Sequence, residues 1–128
     1  MANSDNILLT NKLEKKCSGE IRELYKKLHK LIVNVSKRNI NYDIYPIYIT
    51  YYNIKTDKVF VVIYLNRDFL NIGISLDEKQ KYKGVKSADY MKYPGITKCV
   101  RVDDSKDINI KLKNIIAISY KKMDKRDN

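Results

Sequence analysis

The chain has 128 residues, is 44% hydrophobic and carries a formal net charge of +11. That length suits one domain with one core, and no apolar run approaches the ~18 residues needed to cross a bilayer. Cys17, Cys99 and His29 are the only residues of their types, too few for a disulfide framework or a four-ligand zinc site.

The start, Met1 to Asp5, lacks the basic opening and apolar stretch of a secretory signal. The chain therefore reads as cytoplasmic, with both cysteines reduced and half-buried. Its charge invites a polyanion partner. A bland explanation competes, because Lys, Asn, Ile and Tyr, the residues of AT-rich codons, supply 61 positions. Lysines outnumber arginines 21 to 5, and arginine is the residue suited to bidentate phosphate and guanine contacts. That scarcity weakens the nucleic-acid reading.

In chain order, residues 6–16 have a weak helical pattern, interrupted at Ser18-Gly19. A strong one follows from Gly19 to Lys37, where Ile21, Leu24, Leu28, Leu31, Ile32 and Val35 recur at spacings of three and four. Ser18 suits its N-cap, and Glu20 and Glu23 suit its first turn. Tyr42 to Tyr52 alternates as one strand, with Tyr45, Ile47, Ile49 and Tyr51 on one face and Tyr48, Thr50 and Tyr52 on the other. Pro46 marks an edge position or a strand start. Polar turns at 53–58 and 66–68 lead into strands at Val59 to Leu65 and Phe69 to Leu76. Residues 77–95 mix lysines with tyrosines, could hold a short helix at Ser87 to Met91, and end in the Pro94-Gly95 turn signal. Ile96 to Asp103 reads as a fourth strand. A last helix capped by Asp104 or Ser105 follows, with Ile108, Leu112, Ile115, Ile116 and Met123 as its stripe. Lys121 to Asn128 reads as a frayed polar tail.

The expected fold is α+β: an antiparallel sheet of three to four strands with N- and C-terminal helices packed on one face. One domain fills the chain, with its core over residues 9–123 and flexible ends at 1–5 and 124–128. The other face of the sheet is free for a partner.

The stretch Leu13 to Tyr25 resembles the opening of small domains catalogued as "predicted transport protein", which are often appended to restriction-type nuclease modules. The resemblance continues through Tyr48 to Tyr51, Phe69 to Leu76, Ala88-Asp89 and Asp107-Ile108, carried by order and spacing across residues 9–123. It implies an α+β fold distantly akin to YjbR-like proteins, for which DNA binding is suspected, and implies no established activity. The family's HWG-like turn before the last strand here reads Met91-Lys92-Tyr93-Pro94-Gly95, without the histidine and tryptophan.

The candidate binding residues are Lys79, Lys81, Tyr82, Lys83, Lys86, Tyr90, Lys92 and Tyr93, since lysines neutralise phosphates and tyrosines stack on unpaired bases. Equally, a solvated loop whose tyrosines cover the core needs no ligand. Tyr48 and Tyr52, with Phe60 and Tyr64 on the same face, form a second candidate, an aromatic platform on the sheet. Against it stands the reading of that face as buried. Asp103, Asp104 and Asp107 suit helix capping better than a magnesium site, and a Cys17–His29 nucleophile pair has no sequence cue. No phosphate loop, nucleophile elbow or dinucleotide fingerprint occurs. The sequence thus points to a binding module with no catalytic residue, metal or cofactor. Its expected partner is nucleic acid. The alternative is a protein-interaction factor, such as a small phage or mobile-element accessory or counter-defence protein, binding an acidic or nucleic-acid-binding protein.

Overall fold

The computed structural model describes residues 9, 11–77, 79, 82–88 and 93–125. After a helical stretch over residues 11–16, the elements are α1 (Gly19–Val33), β1 (Ile40–Ile44), β2 (Tyr48–Asn53), β3 (Lys58–Leu65), β4 (Leu70–Ile74), β5 (Val85–Ser87), β6 (Lys98–Val102), a 3-10 turn (Ser105–Asp107) and α2 (Ile110–Met123). The strands form one antiparallel sheet in the order β1-β2-β3-β4-β6-β5. The fold class is α+β as expected, but the sheet has six strands rather than three to four.

The two additional strands, β1 and β5, are the two edges of the sheet. Pro46 has no N–H to donate to a ladder, so the Tyr42–Tyr52 stretch folds back on itself there. It becomes the hairpin β1–β2, closed by the Tyr45 N–H donating to the Tyr48 carbonyl at 2.9 Å. The lysine-rich segment contributes β5, a three-residue edge strand, which is how sheets commonly end without inviting further pairing. Ser87 belongs to β5, so the short helix expected from that residue does not start there, and its remainder over 89–91 lies outside the described residues.

α1 begins as its sequence dictates, with the Ser18 hydroxyl accepting from the Ile21 N–H at 3.3 Å. It ends at Val33, one turn earlier than Lys37. Ile21, Leu24, Tyr25, Leu28 and Ile32 are buried on its sheet-facing stripe. At the other end of the chain, Asp104 caps the 3-10 turn and not α2, whose cap is Asn109, its side chain accepting from the Leu112 N–H at 3.0 Å. Asp107 accepts from the N–H groups of Asp103 and Asp104 at 2.8 and 3.2 Å. This aspartate cluster therefore acts in capping.

The tail is better anchored than its polarity implies. α2 runs to Met123, and the Thr56 hydroxyl donates to the Met123 carbonyl at 2.7 Å. Asp124 accepts from the Asn53 amide at 2.7 Å and pairs with Lys55 at 2.9 Å. Residues 121–125 are thus tied to the β2–β3 turn; 126–128 lie outside the described residues.

Two cores lie on opposite faces of the sheet. The larger, between sheet and helices, contains Leu28, Ile32, Ile49, Tyr51, Val61, Ile63, Ile72, Ile74 and Ile116. The smaller, on the far face, contains Val62, Ala88, Ile96 and Cys99, with Tyr48, Val59, Tyr64 and Tyr93 packed around them. The far face is therefore partly covered by its own chain, against the expectation that it stays open. Cys17 and Cys99 are buried, not half-buried. Among the described residues, no helix is long and apolar enough to cross a membrane.

Phe60 departs from strict alternation. The β2–β3 register shifts between Tyr51 and Tyr52, which pair with Val61 and Val59, leaving Phe60 as an extra residue on β3. Such a bulge re-aims a side chain. Phe60 turns under the helices and meets the Tyr120 ring edge-on at 5.2 Å. The Ser119 hydroxyl donates to the Phe60 carbonyl at 2.7 Å and accepts from the Ser75 N–H at 2.8 Å. Phe60 therefore leaves the aromatic platform in which alternation had put it with Tyr64.

Candidate functional site

The site is built from strand pairing. Ile49, Ile63, Ile72, Val100 and Val102 point to the helices, so their neighbours along each strand point the other way. Register then aligns Tyr48 with Tyr64, Tyr64 with Asn71 and Asn71 with Arg101. These four side chains form one row across β2, β3, β4 and β6. Tyr48, Tyr64 and Asn71 are half-buried and Arg101 is exposed. The row beside it, Thr50, Val62, Gly73 and Cys99, is buried, with Ala88 and Ile96 in the same core cluster as Val62 and Cys99. The tyrosine row thus lies beside this buried row on the far face.

Its rings touch in sequence. Tyr45 and Tyr48 have centroids 5.2 Å apart at 40°, and Tyr48 and Tyr64 are 5.2 Å apart at 42°. Tyr93 stands edge-on to Tyr48 at 6.2 Å and 84°. At the other end the Arg101 guanidinium lies 3.9 Å over the Phe69 ring and pairs with Asp103 at 2.8 Å. Burial raises the hydroxyl pKa of Tyr64, helped by Tyr48. Burial also raises that of Tyr93, helped by the fields of Tyr45, Tyr48, Asp43 and Asp57. Both rings are therefore neutral at neutral pH and do not repel an anion.

Cations stand at both ends. Lys12, whose ammonium donates to the Pro46 carbonyl at 3.1 Å, lines with Lys15, Ile44, Tyr45 and Pro46 a shallow cleft of about 420 Å³. Lys86 is exposed on β5 opposite Cys99, on the same face as Arg101. Tyr45 and Ile47, at the β1–β2 turn, are 38% and 52% exposed, leaving apolar area beside these cations.

Among the described residues, the sequence-predicted loop divides between the two faces of the sheet. Lys81, Tyr90 and Lys92 lie outside the described residues, and Lys79, Lys83 and Lys86 are exposed. Tyr82 packs, partly buried, on the helix-side core, whereas Tyr93 packs on the far-face core. The Lys83 carbonyl accepts from the Lys111 ammonium at 2.8 Å on the helix side. Lys86 and Tyr93 therefore share the face that carries the tyrosine row, and Tyr82 does not. Tyr45, Asn71, Arg101, Lys12 and Lys15 went unflagged. Alternation within Tyr42 to Tyr52 even put Tyr45 opposite Tyr48, because it ignored the turn at Pro46.

A second polar constellation lies under α1. The Tyr25 and Tyr51 hydroxyls hydrogen-bond each other, and the Tyr51 hydroxyl lies 2.7 Å from His29 Nδ1. Tyr42 meets the His29 ring edge-on at 5.1 Å. Each buried hydroxyl proton finds an acceptor here if Tyr25 donates to Tyr51 and Tyr51 donates to a neutral His29. Burial lowers the His29 pKa and raises those of Tyr25 and Tyr51. The sequence offers no cue for pairing His29 with Cys17, and here the ring's bond is to a tyrosine while burial pushes the Cys17 thiol up. This cluster clamps α1 to β2.

It also makes stability depend on pH. The unfolded histidine binds a proton near its ordinary value of 6.5, while the folded one resists until lower pH. Stability is therefore full above 6.5 and declines as pH falls through the lowered folded value. Glu23 and Asp124 are held below 4.5 and 3.8 by Lys26 and Lys55, so they act in a separate, more acidic window. Above about pH 10 the raised tyrosines reverse the slope. Denaturation midpoints measured between pH 8 and 5 should fall in the wild type and stay flatter in His29→Gln. Tyr51→Phe should cost about 1–3 kcal/mol at neutral pH by stranding Tyr25 and His29.

Among the described residues, no group of three or more His, Cys, Asp or Glu is placed to hold a metal ion. Comparison with protein-family models, curated proteins and solved structures finds no match for this chain.

Proposed function

We propose that this protein is a non-enzymatic binding module that contacts nucleic acid through the tyrosine row and the cations flanking it. The observation that carries the reading is the cross-strand row Tyr48–Tyr64–Asn71–Arg101 on the far face of the sheet, in a chain with net charge +11. Aromatic rings on a sheet offer base-stacking surface. Lys12, Lys15, Lys86 and Arg101 supply phosphate contacts whose counterion release drives affinity.

The test is oligonucleotide binding measured by fluorescence anisotropy across a salt series. Affinity should fall with a log–log slope of about −0.7 to −0.9 per phosphate contact. Replacing Lys12, Lys15, Lys86 and Arg101 together by alanine should flatten it by about three units if all four touch phosphate. The fold should survive, since surface charges, with Lys15, Lys86 and Arg101 exposed and Lys12 half-buried, contribute little to stability. If neither DNA nor RNA is bound at low salt, the reading fails. A protein-interaction role then takes its place, favoured by the exposed apolar pair Tyr45 and Ile47.

A further inference from the structure

We infer that the nucleic acid taken by the tyrosine row is an unpaired strand, held by base stacking with little regard to base identity. The inference rests on the binding-module reading and narrows it to one class of ligand. In a duplex the base faces are stacked on each other, and an aromatic ring reaches them only after unstacking. Side chains that do this project from the protein as wedges. Tyr48 and Tyr64 instead lie half-buried along strands, packed on each other at 5.2 Å.

The full sheet face is too wide to enter an undeformed major groove. Six strands at ~4.8 Å spacing make a surface about 24 Å across, roughly twice the ~12 Å major groove that admits a helix or a two-stranded ribbon. An unpaired strand needs no groove. From Tyr48 to Arg101 the row crosses three strand spacings, about 14 Å, room for about four nucleotides at the ~3.4 Å rise of a stacked strand. Tyr93, edge-on to Tyr48 at 84°, forms a wall on the covered side of the row. Charge complementarity comes from the lysine cleft at Tyr45 and from Arg101 at the far end. Of the chain's five arginines only Arg101 is on the row, so guanine edges find at most one bidentate partner there. Stacking is tolerant of sequence because every base has a π-face.

The experiment compares a labelled oligothymidylate of about a dozen nucleotides, within the usual range of single-strand sites, with a duplex of the same length at one low salt concentration. The single strand should bind at least about ten-fold tighter, as stacking on two rings requires. Tyr48→Ala or Tyr64→Ala should each weaken single-strand binding by roughly five- to hundred-fold and leave duplex binding unchanged. Tyr48→Phe, which keeps the ring, should bind like the wild type. Tyr45→Ala, at an exposed turn position, provides a second readout should truncation at Tyr48 unfold the protein. Duplex binding equal to or tighter than single-strand binding would overturn the inference while leaving the binding-module reading intact. Binding of neither probe would remove both.

Discussion

Phe60→Ala should cost about 3–5 kcal/mol, the range for truncating a buried aromatic residue. The ring is wholly buried, edge-on to Tyr120, and its own carbonyl is held by Ser119. Removing it leaves a void between β3 and α2 that the bulge cannot close, because the Ser119 bridge fixes the backbone on either side. Urea denaturation should show a lower midpoint with an unchanged slope, the mark of altered stability alone. Strict alternation would put Phe60 on the far face beside Tyr64, a partly exposed position where truncation costs far less. A measured loss under about 1 kcal/mol, the range of positions outside a filled core, would show that the bulge does not carry the ring inward.

Leu28→Ala should cost about 2–5 kcal/mol. Leu28 is fully buried midway along the α1 stripe, one turn from both Leu24 and Ile32. Its neighbour Lys27 is exposed, so Lys27→Ala should stay within about 0.5 kcal/mol of wild type. Equal thermal stability of the two variants would overturn the packing of α1 on the sheet.

The candidate site was only partly legible. Tyr48 and Tyr64 could be placed on one face by alternation alone, since period two is a local property of a strand. That Arg101 completes their row could not, because β6 joins β4 across the 23 intervening residues 75–97. Nothing local in Asn71 or Arg101 announces the neighbour each receives. The division of the lysine-rich segment between two faces was not legible for a related reason. Its composition is uniform, yet it crosses the sheet edge, so Tyr82 falls to one face and Tyr93 to the other.

Sequence alone determined the α+β class, the stripe and N-cap of α1, the absence of a membrane-spanning run, and the capping role of the aspartates. All of these follow from spacing and residue chemistry within a few turns of chain. Tertiary structure alone decided the count of six strands, the inward turn of Phe60, the anchoring of the tail by Asn53, Lys55 and Thr56, and the Tyr25–Tyr51–His29 clamp. Each of these depends on which polar groups, of backbone or side chain, are left to be paired once the sheet has formed. Pro46 withholds a donor and makes a hairpin of one strand. The bulge leaves a carbonyl that Ser119 must satisfy. Buried polar groups recruit whatever partner the packing brings near, whatever its distance along the chain.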